Sequence, residues 1–426
     1  MSFDKIKSMI ATHSHSAVAL ACAVVAVFLF SLSACANQQG QYAGYPPNSD
    51  LQEGIRQVMD SGNAENFHNF ITDFVFLEWG VTVLEVQGNT LWAARTASAE
   101  PGAAWASQWR TGELLKSTDH GESWNKVYEF SKPVNSVYVD DFGNIFVAVT
   151  YDRWASEGTG ELFKSSDSGE TFRKVLDIES GITLRWNIAS RNGTMFASEY
   201  GFKGAENRVS RILNRAGNNA RRIYRSTDFG ETWSIVFEPN PTYNYHNHIT
   251  LVTDEGIVYQ SIGDWGNSKI IRSHDNGYNW ETVAHGFQPT SAVVFDTHIL
   301  WGLDGGPWDG VAGYDRDTGE FSNAFTLPYP FEGSCYDMAI AHGVVYAMFL
   351  SYGGDAHSAS IFFSEDEGYT WNLLGYIEKL PAFGVGLYHL VVDELFGYID
   401  IETPVHQNDT IDFFVGTLRF ELLNAY

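Results

Sequence analysis

The sequence predicts an all-β fold, a seven-bladed β-propeller, and three observations carry that expectation. One eight-residue turn returns five times at intervals of a few tens of residues. The segments between its copies alternate apolar with polar residues and are rich in aromatic and β-branched side chains, as strands are. The last unit lacks the turn, and an unpartnered strand-like run near the N-terminus can complete it.

The turn reads STDHGESW at 117–124, SSDSGETF at 165–172, STDFGETW at 226–233, SHDNGYNW at 273–280 and SEDEGYTW at 364–371. A decayed copy, DRDTGEFS at 315–322, keeps the central Asp317 and Gly319. The central aspartates are 48, 61, 47, 42 and 49 residues apart, and a period of that size marks a solenoid, propeller or array. Within the turn, Asp can accept hydrogen bonds from backbone amides, and Gly two positions on supplies a positive φ. The hydroxyls satisfy remaining backbone groups while the closing Trp or Phe packs beneath. The pattern resembles the Asp box, or bacterial neuraminidase repeat. That resemblance implies a propeller but no single activity, since such boxes are structural and occur in sialidases, other glycan-active enzymes, sorting receptors and assembly factors.

In chain order, Lys5 and Lys7 precede an apolar run at 17–32 that ends in Leu32-Ser33-Ala34-Cys35. A positive start, an apolar core and small residues before a cut describe a secretory signal. The tetrapeptide resembles the bacterial lipobox, which implies a signal over 1–34 and lipidation of Cys35. Asn37 then favours the outer membrane under that family's rule, making the protein a membrane-anchored lipoprotein on the periplasmic or cell-surface side. Residues 35–69 form the lipidated terminus and a polar Pro-Gly linker, and 70–426 form the propeller.

Seven units follow. Each has an inner strand, a short turn, a second strand, a variable insertion, a third strand, the box and a fourth strand. The strand pairs are VTVLEV/NTLWAAR, SVYVDD/NIFVAVT, LRWNIAS/TMFASEY, HITLVTD/GIVYQSI, SAVVFD/HILWGLD, YDMAIAH/VVYAMFL and YHLVVDE/FGYIDIE. The seventh has no box, and its outer strand is expected from ITDFVFLEW at 71–79, so that pairing of the two chain ends closes the ring and removes exposed edges.

A net charge of −26 suits an external protein and repels nucleic acid. Three cysteines, two of them at or before the lipidation site, allow no disulfide framework, and Cys335 reads as a small buried residue. A monomer is expected.

Antiparallel order places every box on one face and every long insertion on the other, where variable loops surround the channel mouth. Blade four enters through Tyr243-Asn244-Tyr245-His246-Asn247-His248, and residues two apart in a strand share a side, so His246 and His248 are expected to face the mouth together. Blade three adds Arg185, Asn187, Glu199 and Tyr200, and blade one adds Arg95. A charge such as Arg185 beside the channel needs water, a partner or a ligand. His298, His342 and His357 read as turn residues. The insertion at 201–222 holds Lys203, Arg208, Arg211, Arg215, Arg221 and Arg222 against one acid, Glu206, which suits an anionic ligand because Arg pairs bidentately with carboxylate or sulfate.

The sialidases' Phe/Tyr-Arg-Ile-Pro motif is missing: Arg56, Arg95 and Arg110 stand in other contexts. Photosystem assembly factors share the boxed seven-bladed plan, but their Arg patch is not matched. The whole propeller also resembles secreted polysaccharide lyases acting on ulvan and rhamnosyl-glucuronate glycans. That resemblance implies β-elimination on an acidic polysaccharide by His248, His246, Tyr200 and Arg185, with Arg208, Arg211, Arg215, Asn187 and Arg95 binding substrate. In such chemistry Arg, Asn or a divalent metal such as calcium neutralises the uronate carboxylate, and His or Tyr moves the protons. The alternatives are a glycoside hydrolase using two carboxylates among Glu199, Asp264 and Asp304, and a non-catalytic glycan- or protein-binding propeller.

Overall fold

The computed structural model describes residues 75–96, 110–150, 160–178, 185–200, 222–238, 247–263, 268–305, 310–328, 331, 333–350, 359–377, 386–407 and 410–422. The signal, Cys35 and the linker lie outside them. Seven antiparallel four-stranded sheets follow one another around a ring. Blade one is Val81–Gln87, Thr90–Thr96, Arg110–Ser117 and Asn125–Glu129, counted from the channel outward. Blade seven takes Gly386–Val392, Phe396–Gln407 and Thr410–Glu421 from the C-terminus, and its fourth strand is Val75–Trp79 from the N-terminus. Val75 pairs with Arg419 and Phe76 with Leu418, so the ring closes by pairing of the chain ends, as expected.

Side-chain alternation builds the core. In blade one's second strand, Leu91 and Ala93 pack toward Val391 and Tyr398 of blade seven, while Trp92 and Ala94 pack toward Val134 and Val147 of blade two. Successive side chains point to opposite faces, and each blade has neighbours on both faces, so strands such as Ile145–Val149 are buried throughout. The core is a ring of inter-blade layers rather than one central mass. Cys335 lies in the layer between blades five and six, where burial pushes its thiol well above the usual range.

Each box forms by the same bonds. In the first, Ser117 Oγ accepts the Gly121 amide at 2.9 Å and donates to Asp119 Oδ1 at 2.7 Å, and Asp119 also accepts the amide and hydroxyl of Ser123. The residue between Asp and Gly is left-handed as well: His120, Ser168, Phe229, Asn276 and Glu367 have φ of 57–60°. The decayed box departs from its expected centre. Asp315, in the Ser position, accepts the amides of Asp317 and Thr318, so the capping acid is Asp315 rather than Asp317.

The boxes also tie neighbouring blades. Lys164 Nζ donates to the Phe229 carbonyl at 2.7 Å, and Arg225 Nη1 to the Asn276 carbonyl at 2.8 Å. His298 and His342 do more than occupy turns, since each donates through Nε2 to a carbonyl of the next blade, Glu367 and Glu394 respectively.

Hydrogen bonds from Thr171 and Ser165 hold Asp167 down at about 2, and bonds from Asn279 and Ser273 do the same for Asp275, against an ordinary value of 3.8. A depressed folded-state pKa gives stability that is present above the unfolded value and lost as pH falls through the folded one. Unfolding followed by circular dichroism should therefore show stability falling between pH 3.8 and about 2. Asp275→Asn should flatten that fall, and an unchanged profile would remove the boxes as its cause.

Candidate functional site

The mouth on the insertion face is shaped by one repeated irregularity. The inner strands of six blades each carry a bulge near their start, at Leu84, Asn135, His248, Thr290, Tyr336 and Tyr388–His389. A bulge leaves a residue unpaired and re-aims its side chain, and such sites cluster at rims. Blade three has a 3₁₀ turn, Arg185–Asn187, in this place, and its inner strand begins only at Ile188. Arg185 is therefore on a turn rather than the inner strand expected for it.

Asn187 is fully buried, and its amide donates to Ser198 Oγ at 3.0 Å and the Asn247 carbonyl at 3.1 Å. Those bonds join blade three to the first residue of blade four's inner strand. The next residue, His248, is the bulge, and its ring meets Tyr200 edge-on with centroids 5.5 Å apart. His248 is 3% exposed and Tyr200 is half-buried. The bulge also interrupts the simple alternation of side chains at His248. The structure thus brings together Tyr200, His248 and Asn187. Arg95 sits apart in blade one, paired through Nε with Glu113 Oε2 at 3.0 Å. His246, Arg208, Arg211, Arg215 and Asp264 lie outside the described residues.

Of the carboxylates, Glu199 is buried. Tyr224 donates its hydroxyl to Glu199 Oε1 at 2.7 Å and the Arg222 amide donates to Oε2 at 3.2 Å. Burial and the adjacent carboxylate push the Tyr224 phenol far above its ordinary range, so it remains a donor. Asp304 differs. It is the extra residue between the pairs Gln288–Gly305 and Pro289–Leu303, a bulge in blade five's second strand, and it is half-buried with Gln288 Nε2 3.2 Å from Oδ2.

The largest feature that sequence reasoning missed crosses the channel. Trp186, on the blade-three turn, donates Nε1 to Asp337 Oδ1 of blade six at 2.7 Å, and the Leu390 amide of blade seven donates to Oδ2 at 2.9 Å. The indole spans the ring beneath the mouth, with a cavity of about 220 Å³ bordered by Trp186, Val293, Met338 and Val391 on its far side. A single Asp inside the apolar run SCYDMAIA was the signal, by the reasoning that drew attention to Arg185. Among the described residues no group of three or more His, Cys, Asp or Glu is placed to hold a metal ion.

No family model matches the chain. It is 29% identical over 205 residues to the xyloglucanase Xgh74A of Acetivibrio thermocellus, covering 39% of this chain and 24% of that protein. A xyloglucanase of a Paenibacillus species is 28% identical over 216 residues, covering 41% and 20%. The matched region thus spans about a quarter or less of these relatives' length. A solved GH74 enzyme of Niastella koreensis shares 13% identity at a TM-score of 0.48, covering 81% of this chain and 60% of that one, which has no bearing on function. The sequence relatives overturn the expected lyase: both carry names of glycoside hydrolases, and neither is named for β-elimination. Part of the physical ground for the lyase was the basic insertion, of which all but Arg222 lies outside the described residues, on a chain whose net charge of −26 repels polyanions.

Proposed function

We propose that the protein is a glycoside hydrolase acting on a neutral polysaccharide of the xyloglucan class, bound across the insertion-face mouth. The sequence likeness to two xyloglucanases carries this reading. The geometry supports a chain lying across the ring rather than threading it, because Trp186 reaches across the channel to Asp337. Hydrolysis of a glycosidic bond needs one carboxyl to protonate the leaving oxygen and a second to activate water or attack the sugar. Asp304, half-buried near the end of blade five's second strand, is supported over the buried Glu199 as one member of that pair. Aromatic faces such as Tyr200 suit sugar rings.

Purified protein should release reducing ends from xyloglucan without unsaturated, ultraviolet-absorbing ends. Absence of new reducing ends on xyloglucan and other neutral β-glucans would overturn the hydrolase. Binding without cleavage would favour a glycan-binding propeller instead, a reading supported by the full commitment of Glu199 to Tyr224 and Arg222.

A further inference from the structure

The box face carries a recess of its own. In blade three, the left-handed box residue Phe229 lays its ring over the inner turn, so close that a Cβ on Gly193 would stand 2.7 Å from it. In blade four the equivalent residue is Asn276, and the equivalent turn glycine, Gly256, has nothing within 4 Å of its Cβ position. The shorter side chain leaves a recess of about 240 Å³ between the two blades, bordered by Arg191, Asn192, Glu255 and Asn276 over a floor that includes Phe196. Ligand sites for drug-sized molecules begin at about 300 Å³, so this one has room for a single small ring.

Its chemistry narrows the occupant. Asn192 and Asn276 are exposed amides at the rim, each able to donate and accept. The two charges are already matched: Arg191 Nη1 pairs with Asp254 at 2.5 Å, and Glu255 pairs with Arg316. The two charged residues that line the recess are thus each matched by an opposite charge. Exposed aromatic rings stand to either side along the ring of boxes, Phe229 at 43% and Tyr278 at 70% exposure. Arg225 holds the Tyr278 ring from one side, its guanidinium 4.0 Å from the centroid, while donating to the Asn276 carbonyl. Amides that pair with hydroxyls, an exposed aromatic face held by Arg225, and lining charges already matched to one another suit an uncharged sugar residue.

We infer that this recess is a second, non-catalytic binding site for one residue of a neutral glycan, on the face opposite the mouth. The inference rests on the neutral-polysaccharide reading but separates from it, because the site adds retention on a polymer and takes no part in bond cleavage. The test uses Asn276→Phe, which copies the Phe229 filling at a matching φ, and Tyr278→Ala, which removes an exposed ring and leaves the core untouched. Retention on insoluble xyloglucan–cellulose and cleavage of short soluble xyloglucan oligosaccharides are measured for the full chain and both variants. Retention about tenfold weaker in either variant, with oligosaccharide cleavage unchanged, is the expected result. Retention equal to the parent in both variants would overturn the second site while leaving the hydrolase standing. A parent that is retained through this recess but cleaves nothing would remove the hydrolase and keep the site. A parent that neither binds nor cleaves a neutral glycan would remove both.

Discussion

Removal of residues 1–79 is expected to convert a cooperatively unfolding ring into an aggregating one. Val75–Trp79 is the outer strand of blade seven, and without it Thr410–Glu421 becomes a free edge with its amides and carbonyls open to another chain. Leu77 packs with the Val391 and Tyr398 layer, and its side chain also closes over Gly121 of the first box. Losing that one side chain costs about 2–5 kcal/mol, before the ladder bonds are counted. Two ties between the chain ends survive the truncation: Thr417 Oγ1 donates to the Val81 carbonyl at 2.9 Å, and Arg419 Nη1 donates to the His120 carbonyl at 2.8 Å. They tie blade seven's third strand to blade one and leave the outer edge bare. Denaturant unfolding should therefore lose its single sharp transition, and light scattering should report association. A soluble truncation that unfolds in one cooperative step would show that closure does not depend on this strand.

The blade count, the strand pairs and the closure were legible because they rest on local chemistry repeated along the chain. Five boxes share one set of hydrogen bonds, and an apolar–polar alternation needs only the period of two. What was not legible lies where the repeat is broken. The inner-strand bulges insert single residues that no composition or alternation signals, as at His248 in blade four. In blade three a 3₁₀ turn replaces the bulge and takes Arg185 off the strand. In the decayed box, Asp315 takes over the capping role because it occupies the Ser position with a longer acceptor.

The proximity of some candidate residues was legible, and their hydrogen-bond partners were not. Topology put Tyr200, His248 and Asn187 at one mouth, and there the structure joins them. Topology could not show that Asn187 would spend its amide on backbone carbonyls, or that Arg95 would be met by Glu113 eighteen residues on. Nor could it find the Trp186–Asp337 bond, which joins residues 151 apart through a fold that must close before they meet. Long-range polar pairs of this kind leave only a weak trace in sequence, here one acid within an apolar strand.

Those differences in environment set the last expectation, a split between two carboxylates at the same mouth. Under the proposed hydrolase reading, Asp304→Asn should lower kcat on xyloglucan by the ~10²–10⁴-fold typical of a lost acid–base group, with unfolding midpoint unchanged. Asp304 is half-buried on a bulge and accepts from Gln288 Nε2, a bond that the carbonyl of an Asn at this position can still accept. Glu199→Gln should behave in the opposite way. Glu199 is buried, and its two oxygens take the Tyr224 hydroxyl and the Arg222 amide. A neutral amide presents an N–H to one of those donors, and leaving a buried donor unsatisfied costs about 1–3 kcal/mol. Stability should therefore fall while kcat per folded molecule holds. The discriminating measurement pairs denaturant titration with active-site-normalised kinetics for both variants. Full kcat in Asp304→Asn would take Asp304 out of the chemistry, and a lost kcat with parental stability in Glu199→Gln would move the catalytic role to Glu199.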